Sequence, residues 1–164
     1  MANKIFNTDK RIKLGVWGLG RGGDLITCCK ALNIDVVAGC DFNEHIRENF
    51  RKHAPDVFLT ADEDEFLAQD MDAVLVATWF MDHAKHSIKA LNAGKHVMCE
   101  VTSFYTPAEA VALVEAVEKS GKVYNLLENY PFMKPNMIAK KLWDDGLFGE
   151  FLYGEYDYNH DCRV

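Results

Sequence analysis

Short apolar runs alternate along the chain with longer stretches in which apolar residues recur every three or four positions, and this alternation sets the expected fold. Residues 12–17, 34–38, 73–77, 96–99 and 123–127 have the length and β-branched content of strands, and 57–59 is a weaker sixth. Several are apolar on both sides, as strands of a parallel sheet are when helices cover both faces. Between them, Ala84, Ile88 and Leu91 form one helical stripe and Ala110, Leu113, Val114 and Val117 another. Thr106-Pro107-Ala108-Glu109 reads as an N-cap, a proline at the first helical position and a capping-box glutamate, while Gly94 and Gly121 stand where helices stop. Strand and helix, repeated about six times, predict right-handed crossovers and an α/β, doubly wound parallel sheet over residues 11–127.

The pattern then changes. After Asn129-Tyr130-Pro131-Phe132 comes a helical stripe of Met133, Met137, Ile138 and Leu142, stopped by Asp144-Asp145-Gly146. Residues 151–158 alternate and are aromatic, which predicts a half-buried antiparallel strand with no partner in the chain. The expected division is therefore residues 1–128 and 129–164, the second part being the start of a truncated α/β domain.

Composition narrows the functions. A chain of 164 residues and 18.6 kDa holds one domain, or one and part of a second, and 49% hydrophobic residues supply a core. A net charge of −7 opposes docking on phosphate backbones or anionic lipid, so neither nucleic acid nor a membrane surface is an expected partner. The longest nearly apolar run, residues 73–81, is about half of the ~20 residues needed to span a bilayer. The first residues lack the marks of a secretory signal, and a cytoplasmic location is expected. Five cysteines, none in a C-x-x-C pair, read mostly as reduced, buried small hydrophobes.

The chemistry concentrates at Gly18-Leu19-Gly20-Arg21-Gly22-Gly23, which fits G-x-G-x-x-G directly after the first strand and at the start of a helix. In that setting Gly18 permits the tight turn, Gly20 lets the backbone approach a pyrophosphate, and Gly23 lets helix and strand pack closely. Leu19 and Arg21 lie within the same dinucleotide-binding, Rossmann-type turn. Asp41 follows the second strand, 23 residues after Gly18, where a carboxylate accepts hydrogen bonds from ribose hydroxyls; helix capping by Asp41-Phe42-Asn43 is the other reading. No arginine stands immediately beside Asp41, Arg47 being a helical turn away, so NAD is the expected cofactor rather than NADP. Trp17 reads as core. The run Asp62-Glu63-Asp64-Glu65 reads as a helix start, and His83 with His86 lacks a third metal ligand.

Residues 78–83, residues 90–100 and Gly146-Leu147-Phe148-Gly149-Glu150 together resemble the glucose-fructose oxidoreductase/inositol dehydrogenase (Gfo/Idh/MocA) family. The resemblance implies an N-terminal domain binding NAD or NADP, followed by an α/β domain that carries the substrate site and dimer contacts. It would place Thr78, His83, Glu100 and Asn129 around the nicotinamide, although Asn129 also suits a turn before Tyr130-Pro131. It implies hydride transfer on a sugar, polyol or related hydroxylated substrate, and self-association through the C-terminal strand. Where the family has Glu-Lys-Pro this chain has Glu100-Val101-Thr102, and a valine can neither polarise a hydroxyl nor transfer a proton. No general base is therefore assigned.

The Glu-Val pair, Leu127-Glu128-Asn129 and His160-Asp161-Cys162-Arg163 are similar to the family 109 glycoside hydrolases, whose chemistry implies glycoside cleavage by transient oxidation and elimination. Trp79 departs from that branch's Thr-Pro-Trp pattern. His160 and Asp161 stand either at a substrate cavity or at a frayed end. A dinucleotide-binding module without turnover is the reading from a different class.

Overall fold

The computed structural model describes residues 8–157 and 159. They divide into two compact units, Met1–Leu127 and Glu128–Val164. The first carries strands β1 (Ile12–Trp17), β2 (Ile34–Cys40), β3 (Phe58–Thr60), β4 (Ala73–Val76), β5 (His96–Cys99) and β6 (Tyr124–Leu126). Helices α1 (Leu19–Leu25), α2 (Glu44–His53), α3 (Glu63–Leu67), α4 (His83–Asn92) and α5 (Pro107–Ser120) lie between them. After α1 the chain tightens into a 3-10 segment, Ile26–Leu32, in keeping with a helix weakened by Gly22, Gly23 and Thr27.

All strand pairs are parallel, in the order β3-β2-β1-β4-β5-β6. The order reverses direction between β1 and β4, where Leu14 lies opposite Ala73 and Trp17 opposite Val76. Such a switch point opens a crevice at the carboxyl edge of a doubly wound sheet.

Strand alternation sends side chains to two cores. Leu14 and Val16 of β1 and Ala73 and Leu75 of β4 pack with Leu19, Cys29, Phe50 and Val57 on one face. Trp17, Val74 and Val76 pack on the other with Phe66, Ala90, Leu91, Val97, Cys99, Leu113 and Ala116. This double burial is why these strands read as unbroken apolar runs. Burial pushes the Cys40 thiol up to about 12, and Cys29 and Cys99 are likewise buried, while Cys28 is exposed and Cys162 lies outside the described residues.

Helix ends follow local chemistry. The Thr106 hydroxyl accepts the Glu109 N–H while the Glu109 carboxylate accepts the N–H groups of Thr106 and Tyr105, closing the expected capping box. Gly94 and Gly121 adopt φ +77° and +62° after α4 and α5. The Asp62 carboxylate caps α3 by accepting from Asp64 and Glu65, so the acidic run is a helix start.

In the second unit, a turn at Tyr130–Phe132 precedes α6 (Lys134–Asp144), which ends before Gly146 at φ +77°. Trp143 packs against Phe148 and Phe151. The aromatic strand expected at 151–158 does not form: residues 151–157 have no strand pairing, and Tyr158 lies outside the described residues. Alternation without a partner strand cannot satisfy backbone N–H and C=O groups, so the pattern alone does not make a strand.

Candidate functional site

The crevice between β1 and β4 is shaped first by Gly18. Its φ is +90°, and a Cβ there would stand 2.4 Å from the Ala77 carbonyl oxygen, so only glycine lets the turn lie against the end of β4. The Gly18 N–H donates to the Cys40 carbonyl at 2.8 Å, joining the turn to β2. Gly20 is exposed, and a Cβ on it would meet nothing nearer than Ile46 Cδ1 at 3.9 Å. The packing role read for Gly23 falls to Gly22: a Cβ at Gly22 would press on Val16 Cγ1 at 2.5 Å, whereas at Gly23 it would make an ordinary 3.6 Å contact with Phe50.

Asp41 is 8% exposed, and both carboxylate oxygens are engaged. Oδ2 accepts the Leu19 N–H and Oδ1 the Asn43 N–H, each at 2.9 Å. Capping of α2 belongs to Asn43, whose side chain accepts from His45 and Ile46. Leu19 thus serves the turn through its backbone, while its side chain lies in the core. Arg47 is nearer than its position in sequence suggests: its guanidinium donates to the Asp41 carbonyl at 2.6 Å.

On the far side of β4, Arg21 Nε donates to Glu100 Oε1 at 2.7 Å, and Glu100 Oε2 accepts the Val101 N–H at 2.9 Å. Arg21 is mostly exposed and Glu100 largely buried, so the pair stands over the end of β4 with its guanidinium toward solvent. Val101, at the position of the family lysine, is exposed, and the Val101–Thr102 peptide is cis.

Thr78 sits partly buried beyond β4, and two histidines of α4 hold it. His86 Nδ1 lies 2.8 Å from Thr78 Oγ1, its ring stacks on Trp17 at 4.3 Å, and burial holds its pKa below the ordinary histidine value. His83, read as a cofactor or substrate contact, is instead 2% exposed. Its Nε2 faces the Thr78 carbonyl at 3.1 Å and its Nδ1 the Thr102 carbonyl at 2.7 Å, leaving no ring nitrogen for the crevice. Burial lowers its pKa, but the Cys99 side chain and the two carbonyls outweigh that and lift it to about 9.

The first unit therefore brings together Gly18, Leu19, Gly20, Arg21, Gly23, Asp41, Thr78 and Glu100, with His83 behind them. Asn129 belongs to the second unit, where its carbonyl accepts the Phe132 N–H in a turn. His160 and Asp161 lie outside the described residues. The donors and acceptors present fit a dinucleotide: an open approach over Gly20, first-turn N–H groups of α1 without intrahelical acceptors, a guanidinium at the mouth, and a carboxylate at the end of β2.

Comparison with known proteins agrees with this geometry. A family described as oxidoreductases with an NAD-binding Rossmann fold, Gfo/Idh/MocA, matches residues 12–127. Among relatives, a glycosyl hydrolase family 109 protein of Solibacter usitatus is 29% identical over 99% of this chain and 40% of its own length. Another of that name from Saccharopolyspora erythraea is 28% identical over 99% of this chain and 38% of its own length. Among solved structures, scyllo-inositol dehydrogenase from Lactobacillus casei with bound NAD(H) and scyllo-inositol superposes with a TM-score of 0.78 at 25% identity, covering 86% of this chain and 43% of that one. An NAD-binding protein from Listeria innocua gives 0.78 at 27% identity, covering 86% and 42%. The chain spans about two fifths of the length of these relatives.

Proposed function

The chain belongs, through residues 12–127, to the Gfo/Idh/MocA oxidoreductase family of NAD-binding Rossmann folds, and on that premise we propose that it is the cofactor-holding part of an enzyme oxidising a sugar, polyol or related hydroxylated substrate. The observation that carries this reading is the Asp41 carboxylate bonded to the Leu19 N–H, which ties the ribose-binding acid to the phosphate-binding turn. Gly18 shapes that turn, and Gly20 and Arg21 line the pyrophosphate path. Asp41 receives the adenosine ribose hydroxyls, and Thr78 and Glu100 wall the nicotinamide end. NAD, when bound, supplies a hydride acceptor and donor. The chain's own residues position it and shield that exchange from water. Residues 129–164 begin the substrate domain in this reading. No helix of the described residues is long and apolar enough to cross a membrane, and we place the chain in the cytoplasm.

Asp41→Asn is expected to weaken NAD by about tenfold to a hundredfold, because an amide nitrogen would face one of the two N–H groups that the carboxylate now accepts. The same change should narrow the gap between NAD and NADP, since a 2′-phosphate no longer meets a full negative charge, with Arg47 close by. Calorimetric titration of both cofactors into both proteins measures this. Unchanged NAD affinity would overturn the assignment.

The likeness to relatives named glycosyl hydrolase family 109 proteins, together with the Glu100-Val101 pair, favours a second reading, cleavage of glycosides by transient oxidation and elimination. The two readings separate when inositols and nitrophenyl glycosides are tested on the protein with its complete reading frame. Absorbance at NADH wavelengths rises steadily with a dehydrogenase substrate, whereas a glycosidase releases nitrophenol with no net NADH. Tight NAD binding with neither signal would mark a binding module.

A further inference from the structure

A carbonyl oxygen only accepts hydrogen bonds, and a neutral imidazole has one N–H and one lone pair. His83 meets a carbonyl at each ring nitrogen, Thr102 at 2.7 Å and Thr78 at 3.1 Å, and at 2% exposure the ring is shielded from bulk solvent. Only the doubly protonated ring satisfies both contacts. The two carbonyls come from different connections, one leaving β4, which borders the crevice, and one following β5, the next strand of the sheet.

We propose that His83 is a positioning residue: a buried imidazolium that clips the β4 connection to the β5 connection and so fixes the wall on which the nicotinamide half of the dinucleotide rests. This rests on the NAD reading above. The titratable groups that face the ring are the Cys99 thiol from β5 and His86 from its own helix. Among the described residues no carboxylate forms an ion pair with it. Burial holds the His86 pKa below the ordinary histidine value, and its Nδ1 lies against the Thr78 hydroxyl.

The raised pKa agrees in sign. A histidine whose folded pKa stands above its unfolded value stabilises the fold fully below about 6.5, and that contribution is lost as pH rises through about 9. The clip therefore holds at neutral pH and loosens in alkali.

The test uses the 164-residue chain, with nitrogen-15 NMR of its histidine rings from pH 6 to 10 and titrations of NAD and of ADP-ribose, which lacks the nicotinamide. Both His83 nitrogens should be protonated at pH 7 and titrate in the alkaline range. NAD affinity should fall about fivefold or more between pH 7.5 and 9.5 while ADP-ribose affinity holds within about twofold. In His83→Gln, NAD should bind weakly at all these pH values and ADP-ribose normally, because a glutamine amide cannot donate to two opposed carbonyls. A neutral single tautomer at pH 7 would overturn the clip in the wild-type protein, whether or not the variant folds. Parallel loss of NAD and ADP-ribose would overturn its action on the nicotinamide wall. Failure of the wild type to bind ADP-ribose would instead overturn the dinucleotide reading, and the cofactor wall with it.

Discussion

Gly18→Ala should lower NAD affinity by about a hundredfold or more, equivalent to roughly 3 kcal/mol of binding free energy. The new methyl would stand 2.4 Å from the Ala77 oxygen and 2.7 Å from the Thr78 nitrogen, both backbone atoms. Ala77 cannot retreat without breaking its N–H bond to the Trp17 carbonyl, so Gly18 must rotate instead. Rotation pulls the Leu19 N–H from Asp41 and the Gly22 N–H from the Gly18 carbonyl, undoing the turn and the ribose acid together. Folding should lose about 2–4 kcal/mol, from left-handed strain plus overpacking. Gly94→Ala is the control: its φ is +77° but nothing lies within 4 Å of the added carbon. It should cost about 1–2 kcal/mol and leave NAD binding alone. Calorimetry and denaturant unfolding on both variants separate strain from collision, and wild-type affinity in Gly18→Ala would mean that this turn does not seat the cofactor.

The largest loss of stability is expected from Phe66→Ala, about 3–5 kcal/mol. Phe66 is fully buried, meets Trp17 edge-on at 5.6 Å, and lies over Gly15, where a Cβ would approach its ring at 2.8 Å. Glycine at 15 and phenylalanine at 66 are thus one packing decision, and alanine leaves a hole that the backbone of β1 cannot fill. For a chain of this size the melting temperature should drop by about 6–20 °C. The loss should also reach the crevice, because Trp17 is held between Phe66 and the His86 ring that positions Thr78. A melting temperature within 2 °C or so of wild type would show that the core repacks around the gap.

Much of this was legible in the chain because local rules and tertiary packing agree. β1 and β5 begin and end where the apolar runs do, since both faces of each are covered. The Thr106 box and the stops at Gly94 and Gly121 need only neighbours three or four residues away. What escaped depends on distance or on the direction of a single side chain. Arg21 and Glu100 are 79 positions apart, and no spacing rule joins them. Which glycine packs on β1 depends on how α1 is rotated, and the rotation presents Gly22. His83 is expected around the nicotinamide from the family resemblance, and its polarity at the start of a helix hides its burial. Yet 83, 87 and 90 share helical spacing, and Ser87 and Ala90 are buried with it, so the signal was present and polarity masked it. The aromatic alternation after residue 150 described a surface, and a strand needs a partner as well as a pattern.

The place of β1 in the sheet also governs how the protein is made. Its first neighbour, β2, begins at Ile34, but its second, β4, begins only at Ala73. On the ribosome, the apolar flank of β1 that β4 will cover stays bare until that segment emerges, a matter of seconds at ordinary rates of synthesis. Closing so long an intervening loop is the slow part of assembling such a sheet. The groove between β1 and β4 is consequently drawn shut later than the seam between β1 and β2, and a ligand seated there arrives only after those two parts of the sheet have found each other.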